Sequence, residues 1–372
     1  MNNFGYEIDF LPVGNGDKSG DAIAIRYASQ GKYKIMVVDG GTKESGKKLL
    51  WHIDKYYNTD YVDYVVNTHP DQDHASGLTE VLENLKVGQL WIHRPWLYVD
   101  EIVEHVDNSE TPFIRDKRTT IQSIKDRFQW EYYKYAKKLE SIANKKRIII
   151  KEPYQGCQIG DFIVLSPNKK WYLYDLIPNS DKTQEIQSVE DSSPNFLKLG
   201  LEKLFCVVES LGFETLRNGG KTSRENESSV ILYANFNNQG ILLTGDAGNE
   251  ALQNAYNFAN KELKIDISNN LKFIQIPHHG SRRNVSPKVL NQIIGNKMRV
   301  PVEPTIIAFV SVGKDDIKHP RRVVTNAFIR RGCVVIETKG KPKMKNSKNM
   351  PERNGWIAAE PTKFYNKVEP YE

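Results

Sequence analysis

Six consecutive residues, His69-Pro70-Asp71-Gln72-Asp73-His74, constrain this chain more than any other feature. They follow directly on an apolar, β-branched and aromatic stretch, Tyr61 to Asn67, which predicts a strand. A helix is predicted from Ser76 to Leu85. Four side chains able to bind a metal therefore crowd a tight loop between strand and helix. Each leaves the backbone in a different direction, so they can converge on one point. A plain polar turn also uses Asp and Pro, but this number of ligand types at this spacing favours a metal site.

Two later segments end in the same way. Leu242 to Asp246 is a strand closing on an acid after Gly245, and Ile276 to Ser281 closes on the pair His278-His279. Taken alone, Asp246 could be a turn aspartate and the histidine pair a surface turn. Further strands are predicted at Tyr6–Pro12, Asp21–Tyr27, Lys34–Asp39, Gln89–His93, Arg147–Lys151, Asp161–Ser166, Ser229–Ala234, Lys272–Ile276, Thr305–Val310 and Cys333–Thr338. Helices are predicted at Glu44–Tyr57, Phe196–Ser210, Asn249–Phe258, Pro287–Ile294 and Arg321–Arg331, with a long one over Arg115–Lys146. Two strand-rich halves flank a helical insertion, an α+β pattern that suits two sheets packed face to face with helices outside. The expected organisation is one domain over residues 1–372, with an insertion at 94–225 that holds a basic helix and a flexible loop at 178–195. A tail at 341–372 follows.

Composition narrows the partners. With 372 residues, 39% hydrophobic and 26% charged, the chain can bury a core unaided. No apolar run approaches a membrane span, and Tyr6 to Phe10 reads as amphipathic strand rather than a secretory leader. Cys157, Cys206 and Cys333 form no short pair, so reduced thiols in a cytoplasmic protein are expected. The net charge is +6, but Arg115 to Arg147 holds eleven basic residues against four acids. Phe128, Trp130, Tyr132, Tyr133 and Tyr135 lie among them, a mixture that can grip phosphates by charge and bases by stacking. A solvated helix with its aromatics facing the core would carry the same residues. A second basic run spans Lys339 to Lys348.

Together the motifs resemble the metallo-β-lactamase superfamily, whose first motif is H-x-H-x-D-H followed by a lone acid and a lone histidine at strand ends. Asp71 replaces the second histidine here, a variant similar to the β-lactamase-like domain of ComEC-like DNA-uptake competence proteins. Val13 to Asp17, with an insertion Lys18 to Asp21 before Ala22 to Arg26, resembles that family's V-G-Q-G-D-A-I-x-I-R. Val38 to Gly41, Asn226 to Val230, Leu243 to Asp246, Pro277 to Ser281, Ser311 to Gly313 with His319-Pro320, and Thr338 to Gly340 follow in family order. The resemblance covers about residues 6–93 and 226–340.

That resemblance implies an αββα sandwich of two mixed sheets holding two divalent ions, manganese or zinc, with magnesium as a third option. His69 and Asp71 would bind the first ion, Asp73 and His74 the second, and Asp246 both. His279 would complete the second site, and His278 would act in catalysis beside the ions or contact substrate. The further histidine expected at the first ion has no counterpart. His93 and His105 do not match its place, and Asn226 is the nearest candidate. Two ions about 4 Å apart would lower the pKa of a bridging water and stabilise phosphoryl charge. Asp73 would orient that hydroxide. His319 would bind phosphate or protonate the leaving oxygen, although capping a helix is its plainer use. Asn226, Ser229, Ser281, Arg321 and Arg322 are substrate-binding candidates. Lys134, Lys137 and Lys138 are nucleic-acid-binding candidates. The expected activity is a nuclease degrading DNA. The rivals are a small-molecule hydrolase on the same fold (lactonase, thioesterase or cyclic-nucleotide phosphodiesterase) and a non-catalytic binding module.

Overall fold

The computed structural model describes residues 5–14, 19–108, 133–180, 206–300 and 303–370. Its first sheet runs from β1 (Tyr6–Phe10) through β2 (Ala22–Ser29), β3 (Lys32–Gly40), β4 (Tyr61–Val66) and β5 (Lys86–Trp91) to β6 (Ile149–Lys151). The second uses β7 (Gln158–Ile159), β8 (Phe162–Ser166), β10 (Ile231–Asn235), β11 (Gly240–Leu243), β12 (Leu271–Gln275), β13 (Ile306–Val310) and β14 (Cys333–Glu337). Both sheets are mixed. β3 to β6 are parallel, as are β11 to β14, and the remaining neighbours pair antiparallel.

Alternation in the strands sets the layers. Ile8, Phe10, Ile23, Ile25, Met36 and Val38 of the first sheet meet Val164, Leu232, Leu243, Phe273 and Phe309 of the second in one apolar core. The opposite face of the first sheet packs against helices Lys43–His52, Leu78–Asn84 and Lys134–Lys146. That of the second packs against Asn249–Lys261, Pro287–Ile293 and Arg322–Ile329. Parallel strands need crossover helices on their faces, so the sandwich is helix, sheet, sheet, helix.

Several boundaries depart from the sequence reading. The helix expected over Glu44–Tyr57 is α-helical to His52 and continues as a π-turn over Ile53–Tyr57. The end of the six-residue motif is itself a helical turn, Gln72–Ala75, and the helix expected over Ser76–Leu85 runs from Leu78 to Asn84. Of the long basic helix, Lys134–Lys146 is helical, and residues 115–132 lie outside the described residues. The flexible loop at 178–195 lies there too from residue 181, as does most of the helix expected over Phe196–Ser210. Its end, Val207–Val208, is instead a strand (β9) paired with Lys367–Val368 (β16). The stretch 94–225 supplies β6, β7 and β8, so it is partly sheet framework rather than wholly an insertion.

The segment from residue 341 is no loose tail. Lys343–Asn346 forms β15, which pairs with β1 at the sheet edge and takes up Lys343 and Lys345 of the second basic run. Beyond it Arg353 reaches into a buried carboxylate pair, giving Asp9 two hydrogen bonds of 2.6 and 2.7 Å and Glu7 a 3.1 Å ion pair. Sequence alone placed no partner there, because the contact joins residues more than 340 positions apart. Among the described residues no helix is long and apolar enough to cross a membrane.

Three glycines seat the six-residue motif on this framework. Gly77, which follows it, lies against the backbone of Gly40 at the end of β3, and Gly46 of the adjoining helix lies against Gly77. A Cβ on Gly77 would be driven into the Gly40 carbonyl and the Thr42 backbone. Backbone cannot yield as a flexible side chain can, so Gly77→Ala should cost about 3 kcal/mol of stability. A urea unfolding midpoint unchanged from wild type would show that the seat is not tight.

Candidate metal centre

The loops that carry the motif residues all leave the C-terminal ends of parallel strands. His69 follows β4, Asp246 follows β11, and the histidine pair follows β12. The two sheets therefore bring their chemistry to one shared edge. Local bonds hold the loops together there. The Val230 N–H donates to the Thr68 carbonyl (3.1 Å), Gly245 packs on Thr68 with a φ of 50°, and the His278 N–H donates to the Gly245 carbonyl (3.2 Å).

At the centre lies Asp246, 3% exposed. Its Oδ2 has four imidazole nitrogens around it: Nε2 of His74 at 3.4 Å, His278 at 3.7 Å, His69 at 3.8 Å and His279 at 3.8 Å. His69 Nε2 is also 3.6 Å from Asp71 Oδ2. Most of these separations are too long for hydrogen bonds and suit donors spaced around a cation. The buried Nε2 atoms of His69 and His74 and the Oδ1 of Asp246 have no hydrogen-bond partner. Asp73, His74 and His279 also bring one ligand atom each within 4.8 Å of one another.

The other ring nitrogen explains why each Nε2 faces inward. His74 Nδ1–H donates to Asp39 Oδ2 (2.8 Å), and His279 Nδ1–H to the Ser311 carbonyl (3.1 Å). His278 Nδ1–H donates to Asn284 Oδ1 (3.0 Å). His69 Nδ1–H donates to Thr68 Oγ1 (3.0 Å), whose own hydroxyl proton goes to Asp39 Oδ2. An acceptor on Nδ1 fixes the tautomer and leaves the Nε2 lone pair free, the usual outer-shell arrangement of metal-binding imidazoles. The donor set, imidazole mixed with carboxylate, fits one or more divalent ions.

Without a cation, protons serve as counter-charge. Burial opposes protonation of His74, but Asp246 and Asp39 outweigh it and raise its pKa well above the usual imidazole value. Burial likewise opposes ionisation of Asp246, yet His74, His278 and His279 hold its pKa well below the usual carboxylate range. Burial lowers His279 to about 4 and raises Asp73.

Two acids of the cluster escaped the sequence reading of the site. Asp39, at the end of β3 with a φ of 53°, accepts from the Thr68 N–H, the Thr68 hydroxyl and His74. A strand closing on Asp39-Gly40 was the available signal, the same as for Asp246-Ala247 after Gly245. Asp21 groups with Asp246 and His279; its Oδ2 accepts from Gln275 Nε2 (2.8 Å), and burial raises its pKa to about 6. Asp21 lies at the end of the segment read from the sequence as an insertion. Asp17 lies outside the described residues.

The remaining candidates have varied surroundings. Ser229 is buried, its hydroxyl accepting from the Asp246 N–H (3.2 Å) and lying 3.4 Å from His69 Nδ1. Asn226 is 1% exposed, with Nδ2 donating to Thr222 Oγ1 and lying 3.3 Å from His278 Nδ1. Both side chains are enclosed, Ser229 beside His69 and Asn226 beside His278. Ser281 Oγ accepts from the Arg283 N–H. Arg321 donates its N–H to the Gly280 carbonyl, whereas the Arg322 guanidinium lies over Tyr365, 5.2 Å from the ring centre. His319 Nδ1–H donates to Asp316 Oδ2 (3.0 Å), an acid the sequence reading missed, and Pro320 packs against Gly280. His93 is buried against Tyr154 and Tyr172, and His105 stacks on Tyr174. Lys138 pairs with Glu83 (3.6 Å), and Lys134 and Lys137 lie in the first turn of their helix.

Residues 16–146 match the family model of the metallo-beta-lactamase superfamily. The fold is the metallo-beta-lactamase fold. Its two mixed sheets and flanking helices agree with that match. Members of the superfamily are mostly metal-dependent hydrolases, in keeping with the donor cluster. No curated protein sequence matches the chain. Among solved structures it is similar to the metallo-beta-lactamase fold protein YhfI from Bacillus subtilis, at 9% identity and a TM-score of 0.37, over 92% of this chain and 100% of that one. It is also similar to a mutant of the CmlA beta-hydroxylase, at 8% identity and a TM-score of 0.38, over 93% of this chain and 54% of that one.

Two outcomes test the centre of this metallo-beta-lactamase fold. Asp39→Asn weakens the acceptor that orients His74 and Thr68, and should lower divalent-ion affinity about 10- to 100-fold with the fold intact. Competition with a fluorescent chelator reads it. Because a raised His74 pKa means a proton must leave when an ion enters, loading should release protons, and affinity should rise from pH 6 to pH 8. Calorimetry in two buffers of different ionisation enthalpy measures the release.

Proposed function

We propose that the chain is a metal-dependent phosphodiester hydrolase, a nuclease degrading DNA. The observation that carries this reading is the donor set around Asp246 Oδ2, which combines four imidazoles with the carboxylates of Asp71 and Asp73 at the open edge of the sandwich. A set this rich in carboxylate suits hard divalent ions, manganese or magnesium, while its imidazoles also accept zinc. Such ions supply water activation and charge stabilisation for phosphoryl transfer.

The chain's own groups take the other tasks. His69, Asp71 and Asp246 would hold one ion, and Asp73, His74, His279 and Asp246 another. Asp73 is half-buried at the rim, where its carboxylate can also orient the attacking water. The Asp316–His319 pair lies beside the His279 loop through the Pro320–Gly280 contact. With Nδ1–H bound to Asp316, His319 has Nε2 left to exchange a proton with a leaving oxygen. Asp316, held near pKa 2 against its burial by hydrogen bonding and attraction to His319, would balance that charge.

For DNA as substrate the support is the resemblance to the ComEC-like domain and the basic helix. The helix Lys134–Lys146 touches the motif turn Gln72–Ala75. Tyr133 at its start lines a cleft with Pro70, Tyr172 and Arg224. The second reading is a small-molecule hydrolase, because the same donor cluster would serve either substrate class.

Incubation with circular and linear DNA, with RNA, and with a chromogenic phosphodiester, a lactone and a thioester, across manganese, magnesium and zinc, separates the readings. DNA cleavage lost in Asp246→Ala supports the nuclease. Turnover of only the lactone or thioester supports the rival, and wild-type turnover by Asp246→Ala would remove Asp246 from the centre. If the helix grips DNA, Lys134→Gln with Lys137→Gln should flatten the log–log salt slope of DNA binding by roughly one unit per lost phosphate contact. Lys138→Gln should add less, because Glu83 already engages that lysine. Hydrolysis of the chromogenic phosphodiester should persist in all three variants.

A further inference from the structure

The first ion as proposed has three protein donors, one fewer than the superfamily pattern would supply. We propose that His278 is its fourth ligand, recruited from the His278-His279 pair in place of a histidine the chain lacks. This rests on the reading of the cluster as a two-ion centre.

Three observations lead to it. His278 Nε2 lies 3.7 Å from Asp246 Oδ2, within the 3.4–3.8 Å spread of the other three imidazoles. Its Nδ1–H is held by Asn284 Oδ1 at 3.0 Å, so it has the same tautomer and the same inward lone pair as they have. Asn284 is fully buried and is itself anchored, donating from Nδ2 to the Asp246 carbonyl at 2.8 Å. A histidine meant only for solvent or substrate needs no buried amide to fix its ring.

A shared neighbouring segment links His278 with His69. The segment that should bear the missing histidine contains Asn226 and Ser229. Ser229 touches His69, a ligand of the first ion, and Asn226 touches His278. One short segment thus touches both histidines, and we assign His278 to the ion of His69 on that ground. Adjacent residues seldom aim at the same point, because successive side chains on a regular backbone diverge. Here His278 and His279 both have left-handed backbone, with φ of 44° and 56°. Non-glycine residues take that conformation at a cost of about 1–3 kcal/mol each and keep it where a site requires it. It turns both rings to the same carboxylate, with their centres 5.6 Å apart.

The test counts ions and needs no substrate. Apo-protein, full length, is loaded with manganese or zinc, and bound metal is measured by mass spectrometry and by titration. Wild type should take two ions. His278→Ala should keep one at wild-type affinity and bind the second at least tenfold more weakly. His278→Asp, which restores a donor, should recover part of that loss. Asn284→Ala, a milder change, should weaken the same ion by a smaller factor, and it serves if His278→Ala fails to fold by circular dichroism. The cobalt-loaded wild type should lose part of its visible absorption in His278→Ala, because the coordination changes. Two ions at wild-type affinity in both His278→Ala and Asn284→Ala would overturn the proposal and leave His278 a substrate contact. A wild type that binds at most one ion would instead overturn the two-ion centre itself. Failure to cleave DNA would touch neither result.

Discussion

A buried carboxylate with four imidazoles around it is an electrostatic demand that most of this molecule answers. Asp246 cannot stay charged in a 3% exposed position without counter-charge. In the absence of cations that charge is supplied by protons on neighbouring histidines, which is why His74 is driven up and Asp246 down. A divalent ion would satisfy the same demand better, since it would also use the unpartnered Nε2 atoms and the free Oδ1. The cluster is therefore prepared for cations by what it would otherwise leave unsatisfied.

The sandwich makes that arrangement rigid. Each imidazole is fixed by an acceptor on a different element: Asp39 from the first sheet for His74, Thr68 for His69, the Ser311 carbonyl after β13 for His279, and Asn284 for His278. The acceptors come from both sheets, so the ring orientations depend on the sheets staying in register across the core. The glycine contacts at Gly40, Gly46 and Gly77 serve the same end by letting the motif turn lie directly on backbone. Elsewhere in the first sheet the Arg353 clasp ties the C-terminal segment to β1 through two carboxylates that would be very costly to bury unpaired.

The segments between the two halves add wall rather than chemistry. Tyr133, Tyr172, Leu176 and Ile177 shape the cleft beside Pro70, and the basic helix divides its lysines between tasks. Lys146 donates to the carbonyls of Leu82, Glu83 and Leu85 at the end of a neighbouring helix, a structural duty. Lys134 and Lys137 lie in the first turn of their helix, next to Tyr133 of the cleft. Charge counted along the sequence overstates what a helix can offer a nucleic acid, because some of it closes helix ends.

How much was legible depended on distance along the chain. The six-residue motif, Asp246 and the histidine pair were visible because ligand-bearing loops at strand ends are local patterns. The alternating strands showed the two-layer core for the same reason. Asp39 and Asp21 were harder, since each is a single acid whose meaning appears only beside His74 or His279. Asn284, Asp316 and Arg353 were not legible as partners. Their roles depend on contacts that loop closure and sheet packing create between residues distant in sequence. The sequence by itself determined which donors the chain possesses and that strand ends would carry them. Tertiary structure decided which nitrogen of each histidine faces inward, because that depends on an acceptor delivered from another strand or loop.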